Sequence, residues 1–126
     1  MDMHPLEAKL QLLEEILALT RQMEERAREG LSDAFLALLA ERGQLIERVR
    51  KCDEALSNVD VPQEAKEKML TLLREIALLN ERVNIQALSA FAKEQEAFAR
   101  LREERTLLER VRESLPPPNG AFDAKG

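Results

Sequence analysis

Apolar residues recur along most of the chain at spacings of three and four positions, which places them on one face of an α-helix. The first stretch opens at Pro5, which fits a first helical turn, and stops before Gly30, which suits a left-handed helix end. Two adjacent rows make up its apolar face: Leu6, Leu10, Leu13 and Leu17, and Leu12, Ile16, Leu19 and Met23. The pattern predicts a helix over about residues 5–29 that contacts more than one neighbour.

A second helix is predicted over about residues 33–57. Its apolar row contains Phe35, Leu38, Leu39, Ile46, Val49 and Leu56. Only a few residues separate it from the first helix, so the two should form an antiparallel hairpin. Gly43 lies in its middle at a cost of about 1 kcal/mol relative to Ala. We attribute this glycine to close packing against a neighbouring element, the alternative being a local weak point.

The third stretch contains neither glycine nor proline between Pro62 and Leu115. Its apolar row continues throughout, which predicts a single helix over 62–115, with Asn80 and Asn84 as candidate points of softening. Three prolines then end it, and residues 116–126 are expected to form a flexible tail. The predicted fold is all-α: one domain over residues 1–115, in which the antiparallel hairpin packs on a long third helix as an elongated, coiled-coil-like bundle.

The lengths of these helices leave part of the third uncovered. It should span about 80 Å against about 38 Å for each hairpin helix. The uncovered half carries an apolar stripe, which must meet a second copy of the chain, a bent-back part of the chain itself, or a client protein. We hypothesise that it binds a client; the alternative is that it forms the core of a homodimer or of the chain. The candidate client-binding residues are Phe91, Phe98, Leu101, Leu108 and Val111.

Composition narrows the classes of function. The net charge of −5 argues against a nucleic-acid-binding protein, because phosphate contacts need a basic face. The sequence has no run of about 18 apolar residues, so no membrane span is predicted. The single cysteine fits a reducing compartment, and the first residues do not form a signal peptide, so we expect a cytoplasmic protein.

No residue set in the sequence carries chemistry. His4 has no partner at metal-ligand spacing, and Cys52 has no accompanying base. Glycine-rich phosphate loops and nucleophile elbows are missing from the sequence. We therefore predict a protein without catalytic activity, metal or cofactor, which acts by binding other proteins.

One enzyme alternative comes from the segment Leu38-Leu39-Ala40-Glu41-Arg42, which resembles the first helix of all-helical chorismate mutases. That family implies an arginine seventeen residues before the counterpart of Arg42 and a lysine eleven residues after it. Glu25 and Asp53 occupy these positions here, and both would repel a dicarboxylate substrate. A non-enzymatic coiled-coil adaptor or scaffold is the broader alternative.

Three segments and the C-terminus together resemble flagellar export chaperones of the FliT type. They are Ile16-Leu17-Ala18-Leu19-Thr20, the run from Leu38 to Ile46, Leu72-Leu73-Arg74-Glu75-Ile76, and the terminal Phe122-Asp123-Ala124-Lys125-Gly126. The related chaperones of hook–filament junction proteins have a similar pattern. The resemblance implies a protein that binds the C-terminal amphipathic helices of a filament-cap or junction protein, prevents premature assembly, and delivers its client to the export apparatus.

The resemblance also implies a role for the C-terminal region. In some family members the last helix shields the client surface and contacts the export ATPase or a transcriptional activator. The family's contact with the export gate uses a C-terminal tyrosine. This chain has no tyrosine, so Phe122 is the candidate for that contact.

Overall fold

Four helices make up the described part of this computed structural model, which covers residues 4–91 and 95–113. They are α1 (Pro5–Arg28), α2 (Ser32–Ala55), α3 (Gln63–Ala90) and α4 (Gln95–Glu113). No strand occurs in these two ranges. The predicted all-α helical bundle is confirmed, with four helices in place of three.

The ends of α1 follow from local chemistry. The Nδ1 atom of His4 accepts a hydrogen bond from the backbone N–H of Leu6 at 3.0 Å, which satisfies one of the otherwise unpaired donors of the first turn. At the other end Gly30 has φ of +74°, the left-handed conformation that glycine adopts without strain. The N–H of Leu31 then donates to the carbonyl of Arg26 at 2.9 Å, and the chain turns into α2.

Side-chain pairs define how the first three helices run. Lys9 near the start of α1 is ion-paired with Asp53 near the end of α2, so these two helices form the expected antiparallel hairpin. Glu24 on α1 accepts two hydrogen bonds, each of 2.9 Å, from the guanidinium of Arg82 on α3. The third helix therefore packs alongside α1. Buried leucine, isoleucine, valine and methionine side chains of all three helices fill the space between them.

The prediction of one long third helix over 62–115 is wrong, because α3 and α4 are separate helices. Helix α3 ends at Ala90: the N–H of Phe91 makes the last helical hydrogen bond, to the carbonyl of Ala87, and its backbone leaves the helical conformation with φ of −122° and ψ of 36°. The chain then folds back, and α4 lies against α2 and α3. The sequence left three candidate neighbours for the apolar stripe, and in the structure the stripe packs against the same chain, which bends back on itself. Folding back buries Leu101, Leu108 and Val111, which a straight helix would leave in water.

Within the described ranges, no helix combines the length and apolar character needed to cross a membrane.

Candidate functional site

The surface of α2 and α3 that α4 covers forms a groove, referred to below as the α4 groove. At one end Leu101 of α4 joins a buried cluster with Phe35 and Leu39 of α2 and Val83 and Ala87 of α3. At the other end Leu108 and Val111 of α4 join the cluster of residues that fills the space between α1, α2 and α3. The groove thus accepts one amphipathic helix through apolar contacts at both ends.

A buried polar network lies between these two apolar ends. Its centre is Arg42 of α2, whose side chain is 0% exposed. The Nη1 atom of Arg42 donates to Oγ1 of Thr20 on α1 at 3.0 Å and to Oδ1 of Asn80 on α3 at 2.9 Å. Its Nε donates to Oε1 of Glu104 on α4 at 2.8 Å. One guanidinium therefore links all four helices.

The electrostatics of this network are dominated by burial. Loss of solvent lowers the pKa of Arg42, an effect that the nearby carboxylate of Glu104 opposes. Loss of solvent also raises the pKa of Glu104, against the attraction and hydrogen bond of Arg42. Each ion thus carries a desolvation cost that its partner reduces. Burying either charge at this site without the other would be strongly unfavourable.

Gly43 explains how Glu104 reaches this position. A Cβ atom added at residue 43 would lie 3.1 Å from Oε2 of Glu104, closer than ordinary van der Waals contact. The close packing expected at this glycine is therefore confirmed, and the neighbour is a carboxylate of α4. Glycine next to Arg42 leaves room for the carboxylate to approach the guanidinium.

Four of the predicted client-binding residues are buried within the chain. Phe91 is at the end of α3, whereas Leu101, Leu108 and Val111 are on α4 and face the groove. In this conformation these four residues therefore belong to the core of the chain, which was the alternative to a client-binding role. The side chain of Phe98 and the whole of Phe122 lie outside the described residues.

The sequence interpretation missed the polar network, although its signal is present. Each member occupies a position at which the helical spacing calls for an apolar residue. Thr20 lies between Ile16 and Met23, and Glu104 lies between Leu101 and Leu108. When polar residues occupy core positions on four separate helices, these residues are expected to meet, because each buried polar side chain needs a hydrogen-bond partner.

A second apolar feature lies on the outward face of α3. Leu78, Ile85 and Leu88 are 71%, 65% and 57% exposed, respectively. They border shallow depressions between α3 and α4 in which Arg105 also takes part. These residues therefore lie beside the α4 groove, outside the buried contacts that α4 makes in it.

The positions singled out by the chorismate mutase comparison do not form an anion site. Glu25 is an exposed residue near Arg26, and Asp53 is paired with Lys9. Arg42 is fully buried, and its guanidinium donates hydrogen bonds to side chains of the other three helices. Among the described residues, no group of three or more histidine, cysteine or carboxylate side chains is arranged to hold a metal ion.

Comparison with known proteins identifies the family. The sequence matches the family described as flagellar protein FliT over residues 10–110, which includes α2, α3 and most of α1 and α4. No curated protein and no solved structure gave a significant match. The family match covers more than half of the chain, so the chain belongs to the FliT family, a family of flagellar export chaperones.

Proposed function

We propose that this chain binds the C-terminal amphipathic helices of a flagellar filament-cap protein in the cytoplasm and keeps that client from assembling before export. Hook–filament junction proteins are the second candidate clients. The observation that carries the proposal is that the α4 groove is already occupied by an amphipathic helix. A groove that accepts α4 through Leu101, Leu108 and Val111 has the shape and apolar character to accept a client helix in its place.

The covering helix is held less extensively than the others. Both α1 and α4 pack on α2 and α3, but the contacts of α4 with these two helices are less extensive than those of α1. Its buried set includes Glu104, whose burial carries a desolvation cost. Removing α4 leaves the three-helix core with most of its apolar contacts in place. The client then contacts the uncovered groove, including Phe91 at its end, while the apolar residues of α4 are free for components of the export apparatus.

In this scheme α4 and the client compete for one surface. We call the chain open when α4 has left the groove. The measured affinity for the client is the affinity of the open chain multiplied by the fraction of chains that are open. Changes that weaken α4 docking should therefore tighten client binding. Changes at exposed residues that do not border α4 should leave client binding unaltered.

The direct test is co-purification of the full chain with the C-terminal segment of the filament-cap protein of its organism, followed by size exclusion with light scattering. We expect a complex of defined stoichiometry. Replacing both Leu101 and Leu108 with Ser should tighten this complex by about tenfold or more, because each loses a buried leucine contact of the closed state. Val59→Ser is the control, since Val59 is an exposed apolar residue in the connection between α2 and α3.

The proposal is wrong if neither the cap segment nor the junction proteins form a complex with the chain or with the double variant. Light scattering on the free chain also reports its mass. A stable oligomer that binds no flagellar client would instead favour the coiled-coil scaffold.

A further inference from the structure

The guanidinium of Arg42 has partners of two kinds. Thr20 and Asn80 belong to α1 and α3 and are neutral, so they remain in place when α4 leaves. Glu104 is the only charged partner of Arg42 in the described ranges, and it leaves with α4. The open chain therefore presents a cation in the middle of the groove, between its two apolar ends.

A client helix that covers the groove must bury this cation again. Arginine stays protonated under all physiological conditions, so the charge cannot be removed by titration. Burying it without a counter-charge is strongly unfavourable, whereas burying it beside a carboxylate restores the hydrogen-bonded pair of the closed chain. The Nη2 atom of Arg42 also has no hydrogen-bond partner among the described residues, which leaves a second donor for an incoming carboxylate.

We propose that Arg42 is a specificity-determining residue of the α4 groove and receives a carboxylate from the apolar face of the client helix, where Glu104 is received in the closed chain. This inference rests on the client binding proposed above and names the chemistry by which the groove selects its client. Helices with a purely apolar face are rejected, because they leave the cation uncompensated.

The geometry of α4 specifies the pattern expected in the client. Glu104 lies three positions after Leu101 and four positions before Leu108, and Val111 follows three positions later. All four share one helix face. The client should therefore carry an Asp or Glu that is flanked at three or four positions on each side by apolar residues.

The test compares two forms of the client on several forms of the full-length chaperone. The probe is the C-terminal segment of the filament-cap protein, unchanged or with each acidic residue of that pattern replaced in turn by its amide. On the unmodified chaperone, one such replacement should weaken binding by at least about tenfold. The ratio of the two affinities is informative because the closing of α4 affects both clients equally and cancels.

Substitutions of the chaperone then locate the effect. Arg42→Met should reduce the ratio to about one, because no cation remains to distinguish the two clients. Glu104→Ala should tighten the binding of both clients and keep the ratio, because it removes the α4 side chain that Arg42 binds in the closed state and leaves the open groove unchanged. Arg42→Lys retains the charge and should keep a reduced ratio. It replaces Arg42→Met in the comparison if circular dichroism shows that the methionine variant is unfolded.

The outcomes separate this inference from the function on which it rests. If the client binds but no acidic replacement changes its affinity, Arg42 does not select the client and the inference is overturned. The same holds if the ratio is equal on the unmodified chaperone and on Arg42→Met. If no variant binds any client, the proposed function itself fails.

Discussion

The ring of Phe91, at the end of α3, packs against the ring of Phe35, near the start of α2, with a centroid separation of 5.2 Å and an interplanar angle of 54°. Tilted aromatic pairs of this kind are favourable beyond the area that they bury. The contact forms where α3 ends, and the backbone of Phe91 has left the helical conformation. Burial of this ring accompanies the change of chain direction that brings α4 onto the groove.

Replacing Phe91 with Ala should therefore destabilise the fold. Phe91 is 3% exposed and Phe35 is fully buried, so the substitution leaves a cavity beside the second ring. We expect a loss of about 3–5 kcal/mol in the free energy of unfolding, measured by urea denaturation followed by circular dichroism. Ile85→Ala, on the exposed face of α3, should change it by less than about 0.5 kcal/mol. Equal urea midpoints for the two variants would show that Phe91 is not a core residue.

Gly43 and Glu104 should be energetically coupled. Alanine at residue 43 favours the helix by about 1 kcal/mol in an isolated context. In this chain its Cβ would meet the carboxylate of Glu104 at 3.1 Å and push it away from Arg42. Gly43→Ala should thus stabilise the Glu104→Ala variant by about 1 kcal/mol and stabilise the unmodified chain less, or destabilise it.

A double-mutant cycle of chemical denaturation measures this coupling. The four proteins are the unmodified chain, each single variant and the double variant. A coupling of about 0.5 kcal/mol or more is expected, because the two residues are in contact. Additive effects would mean that α4 is not docked at Gly43 in solution.

The pH dependence of stability should carry a contribution from Glu104 with a defined sign. Burial raises the pKa of this carboxyl in the folded chain above its ordinary value. Between the two pKa values the folded state binds more protons than the unfolded state, so stability falls as pH rises. The contribution of Glu104 is therefore fully present below the ordinary pKa and is lost as pH rises through the raised one.

Comparison with Glu104→Gln isolates this contribution, because the other titrating groups are common to both proteins. Thermal unfolding of each between about pH 4 and about pH 7 should show the unmodified chain losing stability relative to the variant as pH rises. A difference that grows in the opposite direction would mean that the attraction of Arg42 outweighs the desolvation of Glu104.

Local patterns in the sequence determined most of the secondary structure. Helical spacing of apolar residues, Pro5 at the start of α1 and Gly30 after its end predicted the hairpin to within about two residues at each helix end. These features act over one or two turns, so they can be identified without knowledge of the fold. The same patterns, together with motifs along the whole chain, identified the family.

Only the tertiary structure decided where α3 ends and what α4 covers. No glycine or proline marks the break between α3 and α4, so the helix propensity is high throughout the stretch between residues 62 and 115 and does not predict it. The chain turns because packing Phe91 on Phe35 and folding α4 onto the groove removes more apolar surface from water than a straight helix would. The pairing of Arg42 with Glu104, 62 positions apart, depends on that turn, so the spacing of residues within one helix could not show that the two meet.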